Sequence, residues 1–136
     1  MHVQGLAPIL NVSNIEQSII WFEKFGWKRL WDWHPPYAGA PVTFGAVGSG
    51  EVEIFLCLDG QGGRGTGGGH GSDGQGVWMS LFVENVDAEY SNCVAAGLDV
   101  IRAPKDEPWR VREMHVRHPD GHTFRVGHGL PCDEVA

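Results

Sequence analysis

The chain has 136 residues, a hydrophobic share of 42% and a formal net charge of −7, which suits one globular domain or two tightly joined halves. It has no apolar run of the roughly 20 residues that span a membrane and no signal-peptide pattern at its start. Because no basic run occurs, nucleic acid and anionic membranes are not expected as partners, and a cationic ligand is favoured. We therefore expect a cytoplasmic protein.

Three cysteines are widely spaced along the chain and form no CxxC pair. They indicate neither a disulfide framework nor a zinc cluster. We expect Cys57 and Cys93 to be buried as small hydrophobic side chains, with a reactive role as the alternative.

The first half of the chain predicts one strand, one helix and three further strands. Asn14 is the predicted helix N-cap and Gly26 the predicted C-cap, and between them Ile15, Ile19 and Phe22 share one helix face. Three strand-like runs follow, namely KRLWDW, PVTFGAV and EVEIFLCL. This half therefore has the order βαβββ.

The second half repeats that order. The pattern V-x-N-[IV]-[ED] occurs in both halves, and Asn85 and Gly97 take the places of Asn14 and Gly26 at a constant spacing. The apolar face of the second helix is predicted to contain Val86, Tyr90 and Val94. The strand-like runs LDVIRA, VREMHVRH and HTFRVGH follow. We predict an α+β fold made of two tandem βαβββ modules.

A glycine-rich segment, GQGGRGTGGGHGSDGQG, separates the two halves at residues 60–76. It includes a GxGxxG match at Gly63, Gly65 and Gly68, but no helix pattern follows that would supply phosphate-binding amides. We interpret the segment as a flexible linker, with a nucleotide loop as the alternative. The expected division is a first module at 1–59, the linker at 60–76, a second module at 77–130 and a tail at 131–136, all within one structural domain.

The segments PILNVSNIEQSIIWFEKFGW and PWRVREMHVRHPDGHTFRV, placed in this duplicated unit, resemble the glyoxalase, bleomycin resistance protein and dioxygenase superfamily, or vicinal oxygen chelate fold. The resemblance is strongest to the bleomycin resistance proteins. It implies a curved mixed sheet with a concave cleft that binds and sequesters a cationic antibiotic without altering it. It also implies a homodimer with clefts shared between chains, in which an N-terminal arm near Pro8 is exchanged between subunits.

Metal-dependent members of this superfamily, as the resemblance implies, carry ligands on four strands. Three of those positions hold Ala7, Trp78 and Arg125 in this chain, and none of these side chains binds a divalent metal. The fourth position has Glu53 or Glu51, and one carboxylate does not make a site. No metal and no other cofactor is therefore expected.

Four histidines, His115, His118, His122 and His128, lie within twenty positions near the C-terminal end. HPDGH predicts a hairpin turn, because Pro119 fixes its own φ and Gly121 supplies a positive φ. We expect His118 and His122 to face each other across a solvent-exposed loop. A loosely held metal at this turn is the alternative to a purely polar role.

Strand alternation divides the remaining side chains between two faces of the predicted sheets. The helix-facing set is Ile54, Leu56, Met79, Leu81, Val83, Val116, Phe124 and Val126. On the opposite, cleft-facing side we expect polar and aromatic side chains, joined at the rim by Trp33, Tyr37 and Trp109 from other segments. The cleft-facing set is Glu53, Phe55, Trp78, Phe82, Glu113, His115 and Arg125.

Several functions are compatible with such a cleft. The leading hypothesis is a dimeric protein that is not an enzyme and binds a small aromatic or cationic molecule, with aromatic stacking and attraction to Glu53 and Glu113. In the alternative for Glu113, the carboxylate pairs with Arg125 as a structural ion pair. The second hypothesis is a metal-independent enzyme with His115 as general base and Arg125 stabilising an oxyanion. A metal-dependent lyase or dioxygenase would need ligands outside the family positions.

Overall fold

The computed structural model describes residues 1–64 and 76–131 of the chain. Gly65 and Gly68 of the GxGxxG match, most of the predicted linker, and Cys132 in the tail lie outside these described residues. The elements in chain order are β1 (Ile9–Val12), α1 (Ile15–Lys24), β2 (Lys28–Trp33), β3 (Phe44–Ser49), β4 (Val52–Leu58), β5 (Trp78–Phe82), α2 (Val86–Ala95), β6 (Asp99–Glu107), β7 (Val111–Arg117) and β8 (Thr123–Gly129). Within the described ranges, neither helix has the length and apolar content that crossing a membrane requires.

Each half of the chain forms a four-stranded mixed sheet. The strand orders are β1-β4-β3-β2 and β5-β8-β7-β6. The β1/β4 and β5/β8 pairs are parallel, whereas the other neighbours are antiparallel. One strand, one helix and three strands in each half confirm the predicted α+β fold of two tandem βαβββ modules.

Strand β6 is longer than its sequence pattern predicted. It continues through Pro104 to Glu107, although proline cannot donate a ladder hydrogen bond. Because β6 is the last strand in its sheet, Pro104 occupies an edge, where a missing N–H is tolerated. The pairing with β7 shifts register on both sides of Arg102, so regular alternation does not hold along this strand.

Both helices begin and end as the repeat predicted. The Asn14 side chain accepts from the Gln17 amide at 2.9 Å, and Asn85 accepts from the amides of residues 87 and 88. At the other end, Gly26 and Gly97 have φ values of 93° and 77°, a region that glycine enters without a steric penalty. The backbone bonds after each helix form the paired pattern of a Schellman cap.

The apolar faces of the helices are confirmed for α1 and corrected for α2. The predicted α1 residues are all buried, but Val94 of α2 is exposed and Cys93 is buried in its place. On a helix that turns about 100° per residue, Cys93 lies about 20° from Val86 and Val94 about 80° from it. The predicted burial of Cys93 is confirmed, whereas Cys57 is only half-buried.

An aromatic core joins the two modules. The ring of Phe124 on β8 lies 5.8 Å from those of Trp21 and Phe22 and 5.4 Å from that of Phe25, centroid to centroid. All three partners belong to α1 or its C-cap in the first module. Trp21 and the nearby Trp27 are buried, so both tryptophans are packing residues of this core.

The histidine pair at the HPDGH turn is buried, which corrects the predicted exposed loop. Gly121 has a φ of 89°, as predicted for the turn, but His118 and His122 are both fully buried. The first module covers the turn, and its Ser13 amide donates to the Asp120 carboxylate at 2.9 Å. The alternation pattern within one strand pair could not show that another module lies over it.

We call His118, His122 and their two first-module partners, Ser18 and Asn11, the histidine latch. The Nδ1 atoms of the two histidines accept from the amides of Asp120 and Val77, so each proton is on Nε2. His118 therefore donates to Ser18 Oγ at 2.7 Å, and His122 donates to the Asn11 carbonyl at 2.8 Å.

The latch histidines are held in the neutral form. Burial, reinforced by the neighbouring His122, lowers the pKa of His118 to about 3, and burial likewise lowers the pKa of His122. All four ring nitrogens are engaged in hydrogen bonds. Because metal binding needs a free nitrogen lone pair, these rings offer none to the loosely held metal considered above.

Candidate functional site

A cavity of about 490 Å³ opens on the face of the second sheet that lies opposite its helix. We call it the Trp78 cavity. Its lining residues are Trp78, Arg102, Trp109, Glu113, His115 and Arg125. All of these except Arg102 belong to the predicted cleft set.

Strand register explains why these side chains share a face. His115 on β7 pairs directly with Arg125 on β8 and with Arg102 on its other side. Paired residues on neighbouring strands direct their side chains to the same face. Trp78 on β5 pairs with Thr123, two residues before Arg125, and the Arg125 guanidinium carbon lies 5.8 Å from the Trp78 ring centroid.

Glu113 is the centre of the polar network at the bottom of the cavity. Arg125 binds it with two nitrogens, Nη2 at 2.6 Å from Oε1 and Nε at 2.9 Å from Oε2. Trp109 Nε1 donates to Oε1 and His115 Nε2 donates to Oε2, each at 2.9 Å. The structure therefore contains the ion pair with Arg125 that was the alternative for Glu113.

The network keeps the Glu113 carboxylate charged. The hydrogen bonds from Arg125 are the largest cause that lowers its pKa, to about 2, and they outweigh the opposing effect of burial. The same contact raises the pKa of Arg125. Because a carboxylate has about four lone-pair positions, four donors leave Glu113 without a free acceptor.

Trp109 is positioned by the tight turn between β6 and β7. The amide of Arg110 donates to the Glu107 carbonyl at 3.0 Å, and Arg110 has a φ of 64°, in the left-handed region that is uncommon for residues other than glycine. The Trp109 ring remains 56% exposed while its Nε1 is anchored on Glu113.

Arg102 is the cavity residue that sequence reasoning missed. Its strand was predicted only as LDVIRA, and the register shifts around Arg102 prevent alternation from assigning its face. The guanidinium donates to the Glu107 carboxylate at 2.8 Å. A signal that could have indicated its role is Pro104, since a proline within a strand suggests an edge and a bulge.

The remaining predicted site residues lie elsewhere. Phe55 on the first sheet lies in an aromatic cluster, with its ring centroid 5.4 Å from that of Trp31 and 5.8 Å from that of Phe44. Trp33 lines a second cavity, of about 410 Å³, beside the same cluster; we call it the Trp31 cavity.

Three further predicted residues line neither cavity. Glu53 lines a separate surface together with Lys28. Tyr37 is exposed in the loop between β2 and β3, and Phe82 on β5 is 82% exposed.

The positions that would hold a divalent metal do not suit one. Trp78 presents an indole, and Arg125 presents a cation already paired with Glu113. Among residues 1–64 and 76–131, no three histidine, cysteine, aspartate or glutamate side chains converge to form a metal-binding group. These positions therefore do not provide the ligands that a divalent metal requires.

The sequence matches the model of one protein family over residues 2–126, and that family is the Glyoxalase/Bleomycin resistance protein/Dioxygenase superfamily. The chain belongs to this superfamily. Its metal-ligand positions and its paired modules are therefore to be compared with those of glyoxalase-type proteins. No curated protein sequence matches this superfamily member at a significant level.

Several solved structures share the fold of this chain. TioX from Micromonospora sp. ML1 has a TM-score of 0.67 at 21% identity, covering 96% of this chain and 99% of its own. A glyoxalase-related enzyme from Clostridium phytofermentans has a TM-score of 0.73 at 17% identity, with coverage of 96% and 98%. A bleomycin-binding protein complexed with bleomycin has a TM-score of 0.67 at 13% identity, with coverage of 93% and 99%.

Proposed function

We propose that this glyoxalase-type protein binds a small aromatic molecule of antibiotic type in the Trp78 cavity and sequesters it unaltered. The observation that carries the proposal is the pair of exposed tryptophans on one cavity. Trp78 is 66% exposed and Trp109 is 56% exposed, although large aromatic side chains are usually buried. An exposed indole pair beside a fixed ion pair suits the stacking of a flat ligand.

The fixed arrangement of the cavity floor supports ligand binding. Glu113 is held by Arg125, His115 and Trp109, so the polar groups are already arranged before a ligand arrives. A preorganised site loses less side-chain entropy on binding. A structure of the same fold was solved as a bleomycin-binding protein complexed with bleomycin, and by analogy we infer a sequestering role for this chain.

The test uses indole-5-carboxamide, a flat neutral probe, with wild-type protein and a Trp78→Ala variant. Wild type should bind it with a Kd of about 1 mM, typical of a small fragment, and the variant should bind about five- to tenfold more weakly, because stacking is lost. Shifts of the tryptophan Nε1–H resonances in NMR titrations report binding. Mass spectrometry should show that the mass of the probe is unchanged after incubation with the protein.

The matched control is Ile20→Ala, which removes an exposed apolar side chain on the outer side of α1. It should leave the affinity within about twofold of wild type. Equal affinities of Trp78→Ala and wild-type protein would remove Trp78 from the site. A chemically altered probe would instead support the catalytic alternative with His115 and Arg125.

We also propose that the protein is a homodimer in which the second copy covers exposed apolar side chains that lie outside the Trp78 cavity. Phe82 and Ile9, each on a parallel β-strand pair, are exposed in the single chain. Large apolar side chains that stay exposed on the strands of a sheet are typical of an interface. In this proposal, the segment around Pro8 crosses between the two subunits.

Analytical ultracentrifugation at micromolar concentration should show a dimer for wild-type protein. A Phe82→Glu variant should be shifted to monomer, because it places a charge within the covered face. An Ile20→Glu variant introduces the same charge at an exposed position of α1 and should remain dimeric. A wild-type monomer, or a dimeric Phe82→Glu variant, would contradict this arrangement.

A further inference from the structure

The charged groups around the Trp78 cavity form two layers. The carboxylates lie beneath, since the side chains of Glu113 and Glu107 are only 3% and 5% exposed. The guanidinium groups lie above them, and the side chains of Arg125 and Arg102 are 29% and 44% exposed. The formal charges of these four groups cancel, but the surface that meets a ligand is cationic.

Both carboxylates are covered, so neither offers a direct contact to a cationic ligand. All four acceptor positions of Glu113 are used by Arg125, His115 and Trp109. Glu107 accepts from Arg102 at 2.8 Å, with the Lys105 ammonium 3.7 Å from the same oxygen.

The arginines, in contrast, retain donors. A guanidinium carries five N–H groups, and Arg125 uses Nε and Nη2 toward Glu113. Arg102 uses Nη2 toward Glu107. In the part of the chain that the structure describes, no acceptor is found for the other N–H groups of these two side chains. The cavity therefore combines an exposed indole with unused guanidinium donors.

Resting on the proposed function, we infer that the cavity selects a planar aromatic carboxylate over an aromatic cation. The ring system stacks on Trp78, and the carboxylate binds the donors of Arg125 and Arg102. Guanidinium groups match the planar geometry of a carboxylate. The Arg125 guanidinium carbon lies over the Trp78 ring, 5.8 Å from its centroid, so the carboxylate that this arrangement selects is one close to the stacked ring system.

The experiment compares three probes of one shape, namely indole-5-carboxylate, indole-5-carboxamide and indol-5-ylmethylammonium, in NMR titrations at pH 7.5. The carboxylate should bind at least about tenfold more tightly than the ammonium, with the amide between them. Failure of all three probes to bind would overturn the proposed function and this inference together. Binding of all three with equal affinity, or tighter binding of the ammonium, would overturn this inference alone.

Two variants test which residues cause the preference for the carboxylate probe. Arg102→Gln removes an exposed cation and keeps hydrogen-bonding atoms, so it should reduce the preference for the carboxylate over the ammonium to less than about threefold. Arg29→Gln is the charge-matched control, because Arg29 belongs to a surface ion pair on the first sheet. It should leave the preference intact. An unchanged preference in Arg102→Gln would overturn the assignment of the carboxylate to Arg102, and an equal loss in Arg29→Gln would show that net charge rather than this cavity selects the ligand.

Discussion

Lowering the pH from 7 to 4 is expected to remove on the order of 3 kcal/mol of folding stability through His118 alone. The pKa of this histidine is about 3 in the folded protein, against an ordinary value of 6.5. Between these values the unfolded chain binds a proton that the folded chain does not, so stability falls as the pH falls. Each unit of pKa difference corresponds to about 1.4 kcal/mol.

The pH at which stability begins to fall distinguishes the contribution of the histidine latch from that of the Glu113 network. Stability is fully present above pH 6.5 and declines from there toward pH 3, because the latch histidines must be neutral to accept the amides of Asp120 and Val77. The lowered pKa of Glu113 also makes the protein acid-sensitive, but only from about pH 4.5 toward pH 2. The loss between pH 6.5 and pH 5 is therefore assigned to the histidines.

Urea unfolding followed by fluorescence at pH 7, 6, 5 and 4 measures this effect. His118→Gln should be less stable at pH 7 but should show a flatter pH dependence, because the titrating ring is gone. His34→Gln, at an exposed loop position, should keep the wild-type slope. If wild-type stability is constant between pH 7 and pH 5, the latch does not act in this way.

Replacing Glu113 with glutamine is expected to lower the free energy of unfolding by about 3 kcal/mol. The amide would turn a donor group toward donors of Arg125, Trp109 or His115, and the guanidinium would lose its counter-charge. Breaking a buried ion pair costs about 3–5 kcal/mol. The lower end applies here because the Arg125 side chain is partly exposed and water screens its charge.

A surface pair of equal length provides the control. Glu16 and Arg29 are also 2.6 Å apart, but both side chains are substantially exposed. Glu16→Gln should therefore cost less than about 1 kcal/mol in urea unfolding at pH 7. Similar costs for Glu113→Gln and Glu16→Gln would mean that burial does not strengthen the Glu113 network.

Local rules were sufficient to predict the modules and the faces of their strands. Asn14 and Asn85 cap helices because their side-chain oxygens bind the first free amides, and that chemistry depends only on neighbouring residues. Alternation on the regular strands β7 and β8 likewise placed Phe124 on the buried face and His115 beside Arg125. These features are set within one module.

The features that were missed depend on irregular pairing or on contact between modules. Arg102 reaches the cavity through an irregular edge strand. His118 is buried because α1, far away in the sequence, lies over its turn. Trp33 and Trp78 line different cavities, since each belongs to its own sheet. Periodicity within a strand contains no information about these longer-range arrangements.

The histidine latch also shows which contacts hold the two modules together. Its two contacts join residues 100 and 111 positions apart, from Ser18 to His118 and from Asn11 to His122. A peptide bond cut in the glycine-rich stretch would leave both contacts and the Phe124 packing intact. The halves are thus held together as complementary surfaces, in the way two separate subunits would be, and the covalent connection between them mainly raises their effective concentration.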